Sequence, residues 1–366
     1  MITNSRLNGG GVYVHFPYCR SKCAYCAFTS SPDFSTQSKY IERLKTEIAQ
    51  TSNKPKINTI YFGGGTPSVM ERGYLAQIKQ AIDRYFDTSE VVEFTVECNP
   101  DSVDEEFLRE CKDMGVTRIS VGLQSASDEC LKAIGRAHDV SKFISAVKSI
   151  RKYFDNISSD IILGLPNEKE GDIEKAVELF CELGITHISS YALTVEEGTP
   201  LKASGYTVDD DAQADAYERV VKLLKQKGYE RYEVSNFARD NKISLHNYKY
   251  WTGANYYGFG VSAHSLVDGV RYANIDSVTG YIEGAKKTAI ALTDEDKKEE
   301  KIMLAMRTAR GLDLNDFASS WEDLREQKKE QLDKLCALKV VEIKDGFLRA
   351  TDEGFYLLSA IITELI

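Results

Sequence analysis

Three cysteines, Cys19, Cys23 and Cys26, stand in the stretch YVHFPYCRSKCAYCAF at spacings of four and three, with no fourth beside them. A CxxxCxxC loop presents three thiolates from one short segment, which suits a soft metal centre. A structural zinc ion normally takes four protein ligands. The nearby candidate for a fourth is His15, in an apparent strand VYVHF, where a histidine is more often packed or hydrogen-bonded. A cubane iron–sulfur cluster usually has four cysteines, and three leave one iron open to an outside ligand. Cys98, Cys111, Cys130, Cys181 and Cys336 are scattered, and each is expected to be a small buried apolar side chain.

The elements that must hold such a loop can be read from periodicity. The runs VYVHFP, INTIYFGGG, VVEFTVE, RISVGLQ, SSDIILGLP and HISSYALTV are each followed by a polar or amphipathic segment of helical length. This alternation predicts an α/β fold with a parallel sheet, curled by right-handed crossovers into a partial, TIM-like (β/α)6 barrel with its sites at the carboxyl ends of the strands. At those ends lie the cysteine loop, Gly63 to Pro67 (GGGTP), Glu97, Gln124 and Asp160. The glycines would let backbone approach a ligand, and the two carboxylates could hold an amine and ribose hydroxyls.

Composition narrows the classes. The chain has 366 residues, 42% of them hydrophobic and 28% charged, with a net charge of -10. That is an ordinary globular composition, and without a long Lys/Arg cluster it argues against a nucleic-acid partner. The start, MITNSRLNGGGVYVHF, has no basic flank followed by an apolar core, so a cytoplasmic location is expected. No run approaches the roughly 18 apolar residues of a membrane span, so any membrane contact is expected to be peripheral. The mixed-sign run DEDKKEEK at 294–301 reads as a solvated helix start or linker. The predicted domains are 1–235, the strand–helix core; 236–295, an aromatic segment and connection; and 296–366, a smaller carboxyl-terminal domain.

Taken together, the residues resemble the radical S-adenosylmethionine superfamily, whose hallmark is CxxxCxxC after the first strand of a partial (β/α)6 barrel. YVHFPYC, YFGGGTPS, VECNPDS, RISVGLQS, GRAH, DIILGLP and LTVEEGTPL occur in the order seen in its branch of oxygen-independent coproporphyrinogen oxidases and their relatives. The resemblance implies a 4Fe-4S cluster on Cys19, Cys23 and Cys26, with S-adenosylmethionine on its open iron. It assigns Tyr13 and Phe28 to the surroundings of the cofactor, and Gly64, Gly65 and Thr66 to its methionyl end. Glu97, Gln124, Arg136 and Asp160 would hold its polar groups, and Ala192 would lie beside the adenine. The carboxyl-terminal stretch resembles the helical, winged-helix-like domain of this branch.

Two departures divide the branch. Where the oxygen-independent dehydrogenases continue to a fourth cysteine, this chain has Phe28, and LHNYKYWTGANYYGFG carries His246, Asn247, Tyr250 and Trp251 in an HNxxYW pattern. Both are similar to the HemW-type haem chaperones. That resemblance implies haem as a further cofactor, bound around His246, Tyr250 and Trp251, with acceptor haem proteins as partners, and it leaves room for a homodimer. His246 offers an imidazole for iron, and Tyr248, Tyr250, Trp251, Tyr256, Tyr257 and Phe259 are expected to supply flat surface for a macrocycle; His264 is a spare histidine. The alternative is an oxygen-independent coproporphyrinogen III dehydrogenase, which generates a 5'-deoxyadenosyl radical and decarboxylates propionates oxidatively.

Overall fold

The computed structural model describes residues 9–315 and 318–366. Residues 1–8, part of the start without a leader pattern, and residues 316 and 317 of the LNDF run lie outside them. Strands β1 (Gly10–Phe16), β2 (Ile57–Gly64), β3 (Glu93–Cys98), β4 (Arg118–Gln124), β5 (Ile157–Leu163) and β6 (His187–Ala192) pair parallel in sequence order. The crossovers carry α1 (Gln37–Ile48), α2 (Tyr74–Tyr85), α3 (Glu105–Asp113), α4 (Asp128–Ala133), α5 (Val140–Ile150) and α6 (Asp172–Glu182). Several helices start where a side chain satisfies an orphan amide: Asp104 accepts from Phe107 N and Asp139 from Lys142 N.

Strands buried on both faces usually read as continuous apolar runs. These alternate instead, because their two faces meet different surroundings. Val12, Val14, Phe16, Ile60, Phe62, Phe94, Val96, Ile119 and Val121 pack into the core that the helices cover. The intervening positions, among them Tyr13, Thr59, Tyr61, Thr95, Glu97, Arg118, Ser120, Ser158, Asp160, His187 and Ser189, line the polar hollow on the sheet's other face.

After β6 the chain forms α7 (Pro200–Ala203) and α8 (Asp210–Gln226), then extends the sheet at one end with β7 (Glu230–Arg231) and β8 (Asn236–Ala238), antiparallel. Helix α9 (Leu245–Thr252) follows, and β9 (Tyr256–Phe259) then pairs parallel with β1 at the other end. Beyond it lie β10 (His264–Val267), β11 (Val270–Ala273), α10 (Val278–Ile282) and β12 (Thr288–Ala291). The resulting 12-stranded sheet ends in β12 and β7, so it curves around the hollow without closing.

The last part has a core of its own built on Ile302, Met306, Leu312, Leu348, Ile361 and Leu365. Its elements are α11 (Asp294–Met306), β13 (Leu312–Asp313), α12 (Ala318–Gln327), α13 (Lys329–Ala337), β14 (Val341–Lys344), β15 (Phe347–Ala350) and α14 (Leu358–Leu365). The charge run is indeed a helix start, capped by a reciprocal Thr293–Asp296 box. Val234 N donates to Arg307 O, and Arg231 pairs with Asp352 at 2.9 Å while its guanidinium lies 3.9 Å from the Phe355 ring centre, docking this part on the sheet. Among the described residues no helix is long and apolar enough to cross a membrane. Of the scattered cysteines, Cys98, Cys111 and Cys130 are buried; Cys181 is half-buried, and Cys336 is exposed on α13, contrary to expectation.

Candidate functional site

At the carboxyl ends of β1 to β6 opens a cavity of about 380 Å³. Cys19, Cys23, Cys26, Phe28, Gly64, Gly65, Thr66, Glu97, Gln124, Arg136, Asp160 and Ala192 all line it. These positions come from seven loops and strand ends, and the topology alone brings them together. Tyr13 stands outside the wall: its ring packs 6.1 Å from that of Tyr61, which in turn bonds to Glu97.

The cysteine loop rests on a string of hydrogen bonds. Arg136 Nη1 reaches Cys23 Sγ at 3.6 Å and Nη2 donates to Asn99 Oδ1 at 3.0 Å; Asn99 Nδ2 donates to Thr66 Oγ1 at 3.1 Å, and that hydroxyl lies 3.3 Å from Cys19 Sγ. Because the Thr66 oxygen accepts from Asn99, its proton is available to Cys19. Donors therefore face two of the three sulfurs, an arrangement that favours thiolates and tunes the clusters they hold. Burial pushes the Cys19 and Cys26 thiols up, and the neighbouring sulfurs add to the rise; a cationic cluster would keep them ionised. Among the described residues no three His, Cys, Asp or Glu side chains converge as a single metal ion would require, whereas a cubane takes each thiolate on a different iron. His15 is no ligand here. It is buried, with Nε2 3.0 Å from Thr29 O and Nδ1 3.1 Å from Tyr13 Oη.

The carboxylates sit deeper. Tyr61 Oη donates to Glu97 Oε1 at 2.6 Å and Gly64 N to Oε2 at 3.0 Å. Burial raises Glu97 to about 7, with Tyr61 opposing and Asp160 adding to the rise. Burial likewise pushes Asp160 up, against a bond from Ser189 and the Arg118 guanidinium on the same face below. Arg118 is 2% exposed, with Nε and Nη1 unpartnered. Neither Glu97 nor Asp160 appears in an ion pair among the described residues, and Arg136 Nε is also buried without a partner. Two carboxylates and an orphan donor facing a cavity suit a ligand with an ammonium group, hydroxyls and acceptors. The residues fit S-adenosylmethionine.

Backbone geometry explains two glycines. Gly64 has φ +103°, and a Cβ there would overlap the His15 ring, while the residue also lines the cavity. A Cβ at Gly122 would overlap the side-chain amide of Gln124, itself at φ +73° beside a register shift in the β4–β5 ladder. Such left-handed non-glycine residues cluster at functional sites. Sequence reasoning passed over Gly122, Asn99 and Tyr61. Asn99 was within reach, since VECNPDS was singled out.

The aromatic segment does something else. His246 is 1% exposed, with Nδ1 3.0 Å from Thr59 Oγ1 and Nε2 2.8 Å from Tyr250 Oη, so neither nitrogen is open to iron. Burial lowers it to about 3, keeping the ring neutral. Tyr248 packs on Tyr232, Tyr257 and Phe259 on Phe86, and Tyr250 edge-on to Tyr256 at 4.7 Å. Of the residues expected to supply a flat macrocycle surface, Tyr248 and Phe259 are buried, and Tyr250, Tyr256 and Tyr257 are half-buried. Trp251 remains half-buried. His264 is exposed on β10.

Known proteins share this fold. The Radical SAM superfamily family model matches residues 13–180, and the HemN C-terminal domain model matches residues 292–357. The chain is 34% identical over 364 residues to the heme chaperone HemW of Lactococcus lactis, covering 94% of each, and 32% identical over 329 residues to that of Bacillus subtilis, covering 84% of this chain and 86% of the relative. Its fold is similar to that of coproporphyrinogen III oxidase (HemN) from Escherichia coli, a radical SAM enzyme, with a TM-score of 0.84 at 18% identity over 99% of this chain and 92% of that one. The chain belongs to the radical SAM superfamily, within the family of the HemW proteins.

Proposed function

We propose that this chain is a cytoplasmic haem carrier that delivers haem to recipient haem proteins and holds a 4Fe-4S cluster and S-adenosylmethionine in the cavity at its strand ends. The observation that carries the reading is Phe28. It is 67% exposed at the cavity wall, where the dehydrogenases have a further cysteine. The near full-length likeness to proteins named heme chaperones supports it, and the fold shared with an oxidase at 18% identity does not oppose it, because fold does not fix function.

In this reading Cys19, Cys23 and Cys26 hold three irons, with Arg136 and Thr66 donating to two of the sulfurs. A cluster held there and reduced by an outside electron donor would supply one electron to the sulfonium. Glu97, kept in place by Tyr61 and Gly64, accepts from the ligand's ammonium; that contact favours its ionised form over the protonated one that burial promotes. Asp160 accepts from ribose hydroxyls, Gln124 and Arg136 hold the remaining polar groups, and Ala192 leaves room for the adenine.

The test is transfer. Haem-loaded protein mixed with an apo-haem protein should pass haem on, seen as the acceptor's own spectrum. Anaerobic incubation with coproporphyrinogen III, S-adenosylmethionine and a reductant should give no multiple-turnover protoporphyrinogen. Catalytic product without transfer would install the dehydrogenase instead.

A further inference from the structure

The fold leaves a buried guanidinium in the polar hollow unanswered. Arg118 is 2% exposed, its Nε and Nη1 have no hydrogen-bond partner, and neither has the Thr95 hydroxyl beside it on β3. The side chain makes no ion pair among the described residues. The rings around it have no lone pair to spare: His187 meets Ser158 Oγ and Tyr232 Oη, each at 2.7 Å, and His246 meets Thr59 and Tyr250. Burial keeps both imidazoles neutral, and Arg118 adds to that. Glu93, one layer down, is occupied by the amides of Leu245 and His246. A buried charge needs compensation from something within reach.

That compensation lies above. In the strand ladders Thr95 stands opposite Arg118, Glu97 opposite Ser120, and Asp160 opposite Gly122. Arg118 therefore lies one inward-facing layer beneath Glu97 and two beneath Asp160, each layer rising about 7 Å. Buried charges at such spacings are little screened by salt. The other groups facing Glu97 are Tyr13 of β1, Tyr61 of β2, Cys98 of β3, Tyr191 of β6 and Tyr250 of α9. Tyr191 and Cys98 face Asp160 as well, together with Tyr25 of the cysteine loop and Arg136. Burial pushes all the phenols and the Cys98 thiol up, so they stay neutral. Arg136, which also favours the charged form of Asp160, is bonded to Asn99, Gly122 O and Cys23. Around neutral pH the carboxylates are what titrates, and Arg118 is the cation with no other task.

We infer that Arg118 is a positioning residue: from below the cavity it keeps Glu97 and Asp160 charged before the ligand arrives, so that both are ready for its ammonium group and hydroxyls. It lies too deep to line the cavity itself. The inference rests on the reading of the cavity as a site for S-adenosylmethionine.

The experiment measures S-adenosylmethionine affinity of the cluster-loaded full chain from about pH 6 to about pH 9, the range around the raised Glu97 carboxyl. Relative to wild type at the same pH, Arg118→Gln should bind roughly tenfold more weakly at the acid end and equally well at the alkaline end, where the carboxylates ionise without help. Arg118→Lys restores the charge and should recover most of the loss. A loss that is the same at every pH, or as large in Arg118→Lys, makes the residue structural and overturns the inference; so does no loss at all. Arg118→Met, which fills the space without a charge, takes the place of Arg118→Gln should that variant not fold. A second measurement needs no ligand. The infrared band of the protonated carboxyls, assigned with Glu97→Gln and Asp160→Asn, should persist to higher pH in the charge-free variant than in wild type. An unmoved band overturns the inference even where S-adenosylmethionine binds. Wild type that binds no S-adenosylmethionine, with the band moved as expected, overturns the cofactor reading and not the coupling of Arg118 to the carboxylates.

Discussion

The two ends of the polar hollow differ in what their side chains have found. At the carboxyl ends of β1 to β6, Arg136 Nε has no partner, Glu97 and Asp160 share no ion pair among the described residues, and Phe28 projects outward. At the amino ends, around α9, partners abound. Glu93 accepts from Leu245 N and His246 N, both at 2.9 Å, and His246 is held by Thr59 and Tyr250. Arg118 and the Thr95 hydroxyl beside it are exceptions there, and the effect of the guanidinium falls on the carboxylates above. Thr59 precedes Gly63 by four residues on β2, so the two ends lie roughly 13 Å apart. Open valences mark the end that waits for ligands, and satisfied ones mark the end that holds the fold.

The largest effect should come from the open end. Replacing Cys19, Cys23 and Cys26 together by serine should abolish cluster assembly on anaerobic reconstitution, read as iron content and visible absorbance. A normal cluster in that variant would break the comparison at once. Gly64→Ala forces a left-handed backbone and a clash with buried His15, and should cost about 2–4 kcal/mol of stability. Its denaturant midpoint checks this.

Glu97→Ala and Asp160→Ala should each weaken S-adenosylmethionine binding about tenfold or more, the worth of a charge-assisted contact, while the cluster stays normal. Unchanged titrations for both would move the ligand elsewhere. The pH dependence sharpens this. Burial raises Glu97 from 4.5 to about 7, so between these values the folded, ligand-free chain keeps a proton that the unfolded chain has lost. Its contribution is therefore greatest below pH 4.5 and is lost as pH rises to about 7. Glu97→Gln removes this loss, so its melting temperature should gain on the wild type as pH rises through that window. A constant gap would contradict the assignment.

At the satisfied end the effects should be smaller and purely structural. Glu93→Gln weakens the hold on two backbone amides of α9 and should cost about 1–2 kcal/mol, with S-adenosylmethionine affinity unchanged. A large loss of that affinity would show that the two ends are coupled.

The same contrast explains what the sequence disclosed. The six parallel strands were legible because their outer face alternates with a polar inner one, and the cysteine loop because its spacing is itself the chemistry. Glu97, Gln124 and Asp160 were legible because strand ends converge in this topology, whereas Arg136, between α4 and α5, came only from the resemblance carried by GRAH. Local pattern could not reveal that His246 meets Thr59, a residue 187 positions away, nor that Tyr248 and Phe259 are buried. An aromatic-rich stretch looks alike in either state. Cys336 was misread because an amphipathic helix buries only some positions, and α13 turns this one outward. Asn99 lay in a quoted motif, but its role joining Thr66 to Arg136 depends on three loops meeting.

The most direct test of the carrier reading, in which haem and cluster do not share a site, is to titrate haem into the variant carrying serine at 19, 23 and 26. The account expects that variant to lose S-adenosylmethionine binding and to bind haem once per chain with wild-type affinity. Haem affinity that disappears together with the cluster would contradict it.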